Sequence, residues 1–465
     1  MRSTTPAWCR TRQRDVGSEE FPAQLQQEHP HRNPYIGFKE KQPLLPMASV
    51  TSFAPGGRNS RVRRSLGFAL VGALCFVIFA LHRLRELQSQ RPLSFPTSES
   101  ATGFSSDLRV RQFDKPDDVK VIGLVFFGRK SRVEILRCYL ERNLVDHGGW
   151  LDEIHWVKNT DIPDDLKYLD EILASSPRYK TVELEGVGFV GYGQAWGKLE
   201  RGNLYVKIDD DVVWFDDDTI PRIVSMKLAH PEYLLVAANM INSPLMGWVH
   251  YHMGALHPYL PELADYQPDG FLHPRKPSRK TWTYWSYPEW KGPTDYFFGI
   301  TQEPPYDGHR WLRLPGDTDM HRTPASEIEY ATWGTGLKSW AIAAQEHYSF
   351  LENLADDNLD VYKMGVGVRR VDADGGKPWF TVDKRLSINF ITIWADDVLD
   401  NLPMDTVDEE WLTVNLPKKL HRQVAVNTDA LAVHFTFGTQ GNVDKTDLLA
   451  RYHDYALEER CARRI

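Results

Sequence analysis

Hydrophobic and polar positions divide the chain into stretches of different texture. Residues 1–64 mix Pro, Arg, Gln and Ser without a periodic apolar pattern, which predicts a disordered tail. From Ser65 to His82, SLGFALVGALCFVIFALH, eighteen residues pass without Asp, Glu, Lys or Arg. A helix of that length spans about 27 Å, enough for a thin bilayer. Arg61, Arg63 and Arg64 clamp it on one side, Arg83 and Arg85 on the other. A buried core helix is the competing reading, because the run is at the short end of the spanning range. The apolar circumference and the arginine clamps favour a membrane anchor. Residues 83–118 turn polar again, with Ser and Pro, and read as a stem.

From about residue 119 the pattern changes to that of a folded domain. Val119–Phe127 is a short apolar run of buried-strand type, and Gly128-Arg129-Lys130 breaks it. Val133–Leu144 has helical spacing. Leu151–Val157 predicts a second strand, Asp161–Leu173 a second helix, Lys180–Leu184 a third strand and Leu204–Ile208 a fourth. Alternation of this kind predicts an α/β fold with a parallel, Rossmann-like sheet. Ligands of such sheets bind beyond the C-terminal ends of the strands. No GxGxxG follows the first strand, so the usual dinucleotide fingerprint is absent. Residues 250–340 are loop-rich and aromatic; helical spacing returns at Trp340–Leu354, and strand-like runs at Leu386–Trp394 and Ala430–Phe437.

Composition and charge narrow the classes. Hydrophobic residues make up 42% and aromatic ones 12%, enough for a packed core. The net charge of −8 argues against a general nucleic-acid binder. Yet residues 1–65 hold 11 Lys/Arg against 5 Asp/Glu, a basic head on an acidic body. Arg and Lys upstream of the apolar run orient the N-terminus to the cytosol and the body to the lumen, a single-pass type II arrangement. The four cysteines contain no CxxC; Cys138 and Cys461 lie in the body, and whether they pair stays open.

The most informative stretch is Leu204–Trp214, LYVKIDDDVVW, where an apolar strand runs into three Asp. Asp209 and Asp211 are two apart, so they point to one side of an extended chain. Two converging carboxylates call for a cation, and oxygen ligands suit Mg²⁺ or Mn²⁺. A solvated acidic turn is the plainer alternative. The second trio, Asp216–Asp218, precedes a helix start at Thr219, so N-capping explains it.

Lys207-Ile208-Asp209-Asp210-Asp211-Val212 resembles the K-x-D-D-D-V motif of beta-1,3-galactosyltransferase-like families of the GT-A fold. The anchor and stem also look like those of Golgi glycosyltransferases. The resemblance implies a catalytic domain over roughly 119–457, with 250–340 on the acceptor side. It implies that Asp209 contacts the ribose or sugar and the metal, that Asp211 binds the metal, and that Asp210 supports them. Trp394-Ala395-Asp396-Asp397-Val398 is similar to the family's E-D-V motif, which makes Asp397, with Asp396, the candidate catalytic base. A helix N-cap is the other reading, and Asp408 or Glu409 is a rival base. His434, in Ala432–Phe437, is either a core histidine or, by the resemblance, a third metal ligand.

Further candidates surround these. Gly128 and Arg129 follow the first strand, where a nucleotide would rest. Gln194, Trp196 and Lys198 precede the acidic strand and are candidates for the donor pocket. Asn239 and Asn242 are candidates for the acceptor side. His347 reads as structural. The aromatics of 281–311 suit either sugar stacking or core. Together these features predict a metal-dependent glycosyltransferase in the Golgi membrane. It would use Mn²⁺ (or Mg²⁺) and a nucleotide sugar, a UDP-sugar, and transfer with inversion to a glycan, glycolipid or glycoprotein hydroxyl. The alternatives are another metal-dependent nucleotidyl or phosphoryl enzyme, and a non-catalytic, membrane-tethered carbohydrate-binding protein.

Overall fold

A computed structural model describes residues 114–186, 188–263, 289–316, 320–364, 377–381 and 384–461. The predicted tail, the apolar run Ser65–His82 and the stem up to residue 113 lie outside the described residues. Among those described, no helix is long and apolar enough to cross a membrane.

The first half of the domain follows the predicted alternation. Strand β1 (Val121–Phe127) is buried along its whole length. It is followed by α1 (Lys130–Arg142), β2 (Glu153–Lys158), α2 (Pro163–Ser175), β3 (Tyr179–Val182), α3 (Phe189–Trp196) and β4 (Leu204–Asp209). Pro163 opens α2, where its missing N–H costs no hydrogen bond. The four strands pair in parallel, in the order β3-β2-β1-β4. Alternate residues of β1 supply two separate cores. Val121, Val125 and Phe127 pack on one face of the sheet, and Ile122, Leu124 and Phe126 on the other. Burial on both faces explains the unbroken apolar runs.

Beyond β4 the sheet is no longer parallel. The chain continues through β5 (Val212–Phe215), α4 (Thr219–Ala229), β6 (Tyr233–Ile241), α5 (Pro244–His252), β7 (Tyr259–Pro261) and β8 (Trp311–Arg313). Then come α6 (Trp340–Ala355), β9 (Pro378–Thr381), β10 (Phe390–Trp394), α7 (Ala395–Leu399), β11 (Gln423–His434) and α8 (Leu448–Tyr455). The full order is β3-β2-β1-β4-β10-β6-β11-β5, with β9 on the first half of β11. Strand β10 runs antiparallel to both its neighbours, β4 and β6. The result is a mixed α/β domain with a curled sheet. Strand β11 starts seven residues before the predicted Ala430 because its register shifts between Asn427 and Leu431. The polar Asn427-Thr428-Asp429 at that irregularity hides the strand from an apolar pattern.

The aromatic middle stretch is largely core. Strands β7 and β8 pair antiparallel. Trp290, Phe298, Trp311 and Trp340 are buried, and the last three pack edge to face with centroids 5.8–6.0 Å apart. Residues 281–288 of the predicted stacking segment lie outside the described residues. A disulfide joins Cys138 in α1 to Cys461, with their Cα atoms 5.3 Å apart.

Candidate metal centre

The acidic motif sits where β4 ends and the chain turns into β5. Parallel pairing sets Asp209 beside Phe126, so Gly128 and Arg129 lie just past the same sheet edge. Strand β11 reaches this edge from the other side: His434 pairs with Val212, and the Phe435 amide donates to the Asp211 carbonyl at 2.8 Å. Thus Asp209, Asp210, Asp211, Arg129 and His434, read as one site from the sequence, are brought together.

Each carboxylate has a defined set of partners. Asp209 accepts 2.8 Å from Asn389 Nδ2 and pairs with Lys207. Asp210 accepts from Arg129 Nε at 3.1 Å and Nη2 at 2.7 Å. Asp211 Oδ2 accepts from Arg129 Nη2 at 2.9 Å, while its Oδ1 lies 3.2 Å from His434 Nε2. Gly128 eases this approach: a Cβ there would sit 3.0 Å from Asp210 Oδ2, and the carboxylate would have to give slightly. Burial raises the Asp210 carboxyl above its ordinary range. Burial pushes Asp211 the same way, but His434 and Arg129 outweigh it and hold that carboxyl low. Burial opposes the Arg129 charge, yet Asp210 and Asp211 raise it well above its ordinary value.

The donor set fits a divalent cation. Ligand atoms of Asp209, Asp211 and His434 all lie within 4.8 Å of one another. Neighbouring ligands of an octahedral ion bound at about 2.1 Å are roughly 3 Å apart, close to the Asp211–His434 separation. His434 is 3% exposed, and its Nδ1 is a buried atom without a hydrogen-bond partner. Three carboxylates against the two fixed cations Arg129 and Lys207 leave one negative charge over. Two oxygens and one imidazole suit Mn²⁺ better than Ca²⁺. A second acidic group, Glu153, His155 and Glu200, has ligand atoms as close together. There Lys120 and Lys180 already neutralise Glu153, at 3.0 and 2.7 Å.

Sequence reasoning missed three members of the site. Lys207 stood in the motif without a role. Asn389 precedes β10 and carries no local signal. Tyr192 of α3 packs its ring edge-on against Phe126 at 5.4 Å. Its phenol is pushed up to about 12 by burial, then by Asp209 and Asp210.

Other candidates fall elsewhere. Asp396 and Asp397 are at the opposite end of the sheet, which corrects their reading as the catalytic base. Antiparallel pairing places Trp394 against Leu204 and Phe390 against Ile208, so the motif after β10 returns to the start of β4. Asp396 accepts from the Gly202 amide at 2.7 Å, and Asp397 from Arg422 at 2.6 Å. That is roughly 20 Å from Asp209 by strand rise. The inverting course expected from the resemblance loses its base with them. The rival pair lies on the Asp209 flank: Asp408 accepts from Trp196 Nε1 at 3.1 Å, and Glu409 pairs with Arg385. Gln194 accepts from the Glu185 amide at 2.9 Å and so braces its own loop, and Lys198 is exposed. Asn239 and Asn242 are buried and hydrogen-bonded to Tyr362, Thr428, Phe435 and Gln440 within the fold. His347 is structural, bonded to Tyr452 and the Phe435 carbonyl. Asp218 occupies the N-cap position of α4 without a side-chain cap; it pairs with Arg222, and Asp217 with Arg142.

No protein-family model matches the chain, and no curated protein matches it. Solved structures overlap it in part. GalNAc-T7 with UDP, GalNAc and Mn²⁺ is 8% identical with a TM-score of 0.34, over 69% of this chain and 44% of that one. Residues 1–349 of TarS from S. aureus are 16% identical with a TM-score of 0.21, over 26% and 36%. The 4-diphosphocytidyl-2C-methyl-D-erythritol synthase of Anaerococcus prevotii is 14% identical with a TM-score of 0.21, over 27% and 56%. The chain therefore spans 36–56% of the length of these structures. Overlaps this partial say nothing about activity.

Proposed function

We propose that this chain is a metal-dependent glycosyltransferase that moves a sugar from a nucleotide-sugar donor, a UDP-sugar, to an acceptor hydroxyl. The observation that carries this reading is the convergence of Asp209, Asp211 and His434 beside Arg129 at the ligand-binding edge of the sheet. A divalent ion held by those three residues would supply Lewis-acid stabilisation to a departing diphosphate. The chain's own residues do the rest. Arg129, fixed by two carboxylates, presents a permanently charged guanidinium next to the leaving group. Tyr192, packed edge-on against Phe126, borders the same sheet edge. Asn389 and Lys207 lock the Asp209 rotamer, so that the carboxylate is pre-set before ligand arrives.

Placement in the Golgi lumen, behind a type II anchor, rests on the apolar run Ser65–His82 and its arginine flanks. The Cys138–Cys461 disulfide supports an oxidising compartment.

The test is nucleotide release by the full chain from a panel of UDP- and GDP-sugars with Mn²⁺. The same panel is run on Asp211→Ala and His434→Ala. Donor-selective release of nucleoside diphosphate, lost at least a hundredfold in both variants, is the expected result. Release of pyrophosphate or sugar phosphate would redirect the reading to a nucleotidyl or phosphoryl enzyme. No turnover together with no Mn²⁺-dependent UDP binding would end it.

A further inference from the structure

Trp333 is 58% exposed, the highest figure among the exposed large hydrophobic side chains of the described residues. It is nevertheless held in place. The Arg385 guanidinium lies over its ring, 4.7 Å from the centroid. Arg385 in turn pairs with Glu409, and its carbonyl accepts from Thr332 Oγ1 at 2.9 Å, one residue before the tryptophan. With one face covered by the guanidinium, the exposed area of the indole lies on its other face and its edges. An ordinary surface tryptophan has no such brace. A flat, rigid aromatic face with an ion pair at its margin is suited to a pyranose: the C–H face of the ring packs on the indole, and hydroxyls reach charged partners. A purely apolar partner would have to desolvate the Arg385–Glu409 pair.

The position of this platform relative to the acidic motif follows from the chain itself. Arg385 precedes Asn389 by four residues, which reach at most about 14 Å when fully extended. Asn389 donates to Asp209 at 2.8 Å and accepts from the Asp209 amide at 2.9 Å. Lys207, the partner of Asp209, donates to the Ile388 carbonyl at 2.9 Å. On the far side, Asp408 takes the Trp196 indole N–H from the end of α3. Trp333 is thus tied, through Arg385, to the segment that runs into Asn389 and its contact with Asp209. Three residues before Trp333, Tyr330 packs against Trp248 and Trp379, with centroids 5.2 and 6.2 Å apart, so the segment that carries the platform is itself anchored.

We propose that Trp333, braced by Arg385 and Glu409, is the stacking platform for a pyranose ring of a saccharide acceptor. The assignment of this sugar as acceptor rests on the transferase reading above; the sugar contact itself rests on the platform.

Saturation-transfer NMR tests it. The full chain, in a non-glycosidic detergent, is mixed with the methyl pyranosides of glucose, galactose, mannose and N-acetylglucosamine, and with lactose. The expected result is saturation of ring C–H protons for at least one of these sugars. Trp333→Ala should reduce it at least fivefold, with Mn²⁺-dependent UDP binding and melting temperature unchanged. Trp333→Phe, which keeps a ring against Arg385, should retain a reduced signal, and it carries the test if the alanine variant folds poorly. No saturation of any of these sugars, or equal saturation in Trp333→Ala, overturns the proposal. Saturation that depends on Trp333 in a chain that binds no UDP and turns over no donor upholds the platform and sinks the transferase reading. UDP binding without saccharide binding does the reverse.

Discussion

Glu346 shows how one residue couples the fold to pH. It lies on α6, 3% exposed, with Oε2 buried and without a partner. Its only hydrogen bond of note comes from the Asn242 amide. Helix α5 can approach it only because residue 247 is glycine, since a Cβ there would lie 2.1 Å from Glu346 Oε1. Burial pushes this carboxyl up to about 8. The folded state therefore holds a proton that the unfolded chain releases near 4.5. The stability this contributes is complete below about pH 4.5 and is lost as pH rises through about 8. Buried His250 and His347 act with the opposite sign. Burial lowers both to about 3, so they cost stability as pH falls below about 6.5. Between pH 6.5 and 8 Glu346 contributes a falling slope of up to about 1.4 kcal/mol per pH unit. Across that window the urea midpoint of the parent should fall more steeply with pH than that of Glu346→Gln. An equal slope in both proteins would remove Glu346 from the account.

At the scale of elements, the direction of β10 decides the fate of Asp397. Its carboxylate is a structural partner of Arg422, both about one-fifth exposed, at the sheet end away from the acidic motif. Asp397→Asn should leave Mn²⁺-dependent UDP binding and nucleotide release within about twofold of the parent, yet cost about 1–3 kcal/mol of stability as a largely buried ion pair is broken. A loss of turnover at unchanged stability would restore Asp397 as base. This misplacement shows what the sequence carries and what it does not. Strands β1 and β4 were legible because burial on both faces demands continuous apolar runs. The acidic motif was legible because an apolar strand running into three Asp is chemically costly without a purpose. The direction of a strand leaves no trace in its own residues. Asp396-Asp397 after β10 looks like Asp210-Asp211 after β4, and only the antiparallel register separates them by the length of the sheet. Helix α3 was hidden by Gly191 and Gly193, which weaken helix propensity. Strand β5 was hidden by its continuity with β4 through the aspartates.

For the whole molecule the decisive tie is Cys138–Cys461, which closes a loop across 323 residues. The sequence left this pairing open, since two cysteines so far apart have no local signature. Pairing needs α1 and the end of the chain to meet, which only the assembled sheet brings about. Chain-entropy arguments give the largest benefit to the longest loops, about 5 kcal/mol at the upper end, and strain or residual structure usually reduces it to about 2–4 kcal/mol. Cys461→Ser should therefore lower stability by about 2–4 kcal/mol. Cys138→Ser should do the same, and the double variant should cost no more than either one, because a single bond is lost in all three. Helix α1 also carries the reason why the metal centre should survive this loss. Arg129 borders its first turn and Cys138 sits nine residues on, roughly 14 Å along the axis. The N-terminal end is fixed independently, by the Arg129 pair with Asp210 and Asp211 and by the Lys130 amide donating to Asp165 at 2.9 Å. Below the unfolding transition, Mn²⁺-dependent UDP binding by Cys461→Ser should match the parent. If the variant unfolds earlier and binds equally while folded, the disulfide is a global staple, separate from the chemistry at the sheet edge. If binding is lost before unfolding begins, α1 transmits the tie to Arg129, and the separation of staple from site fails.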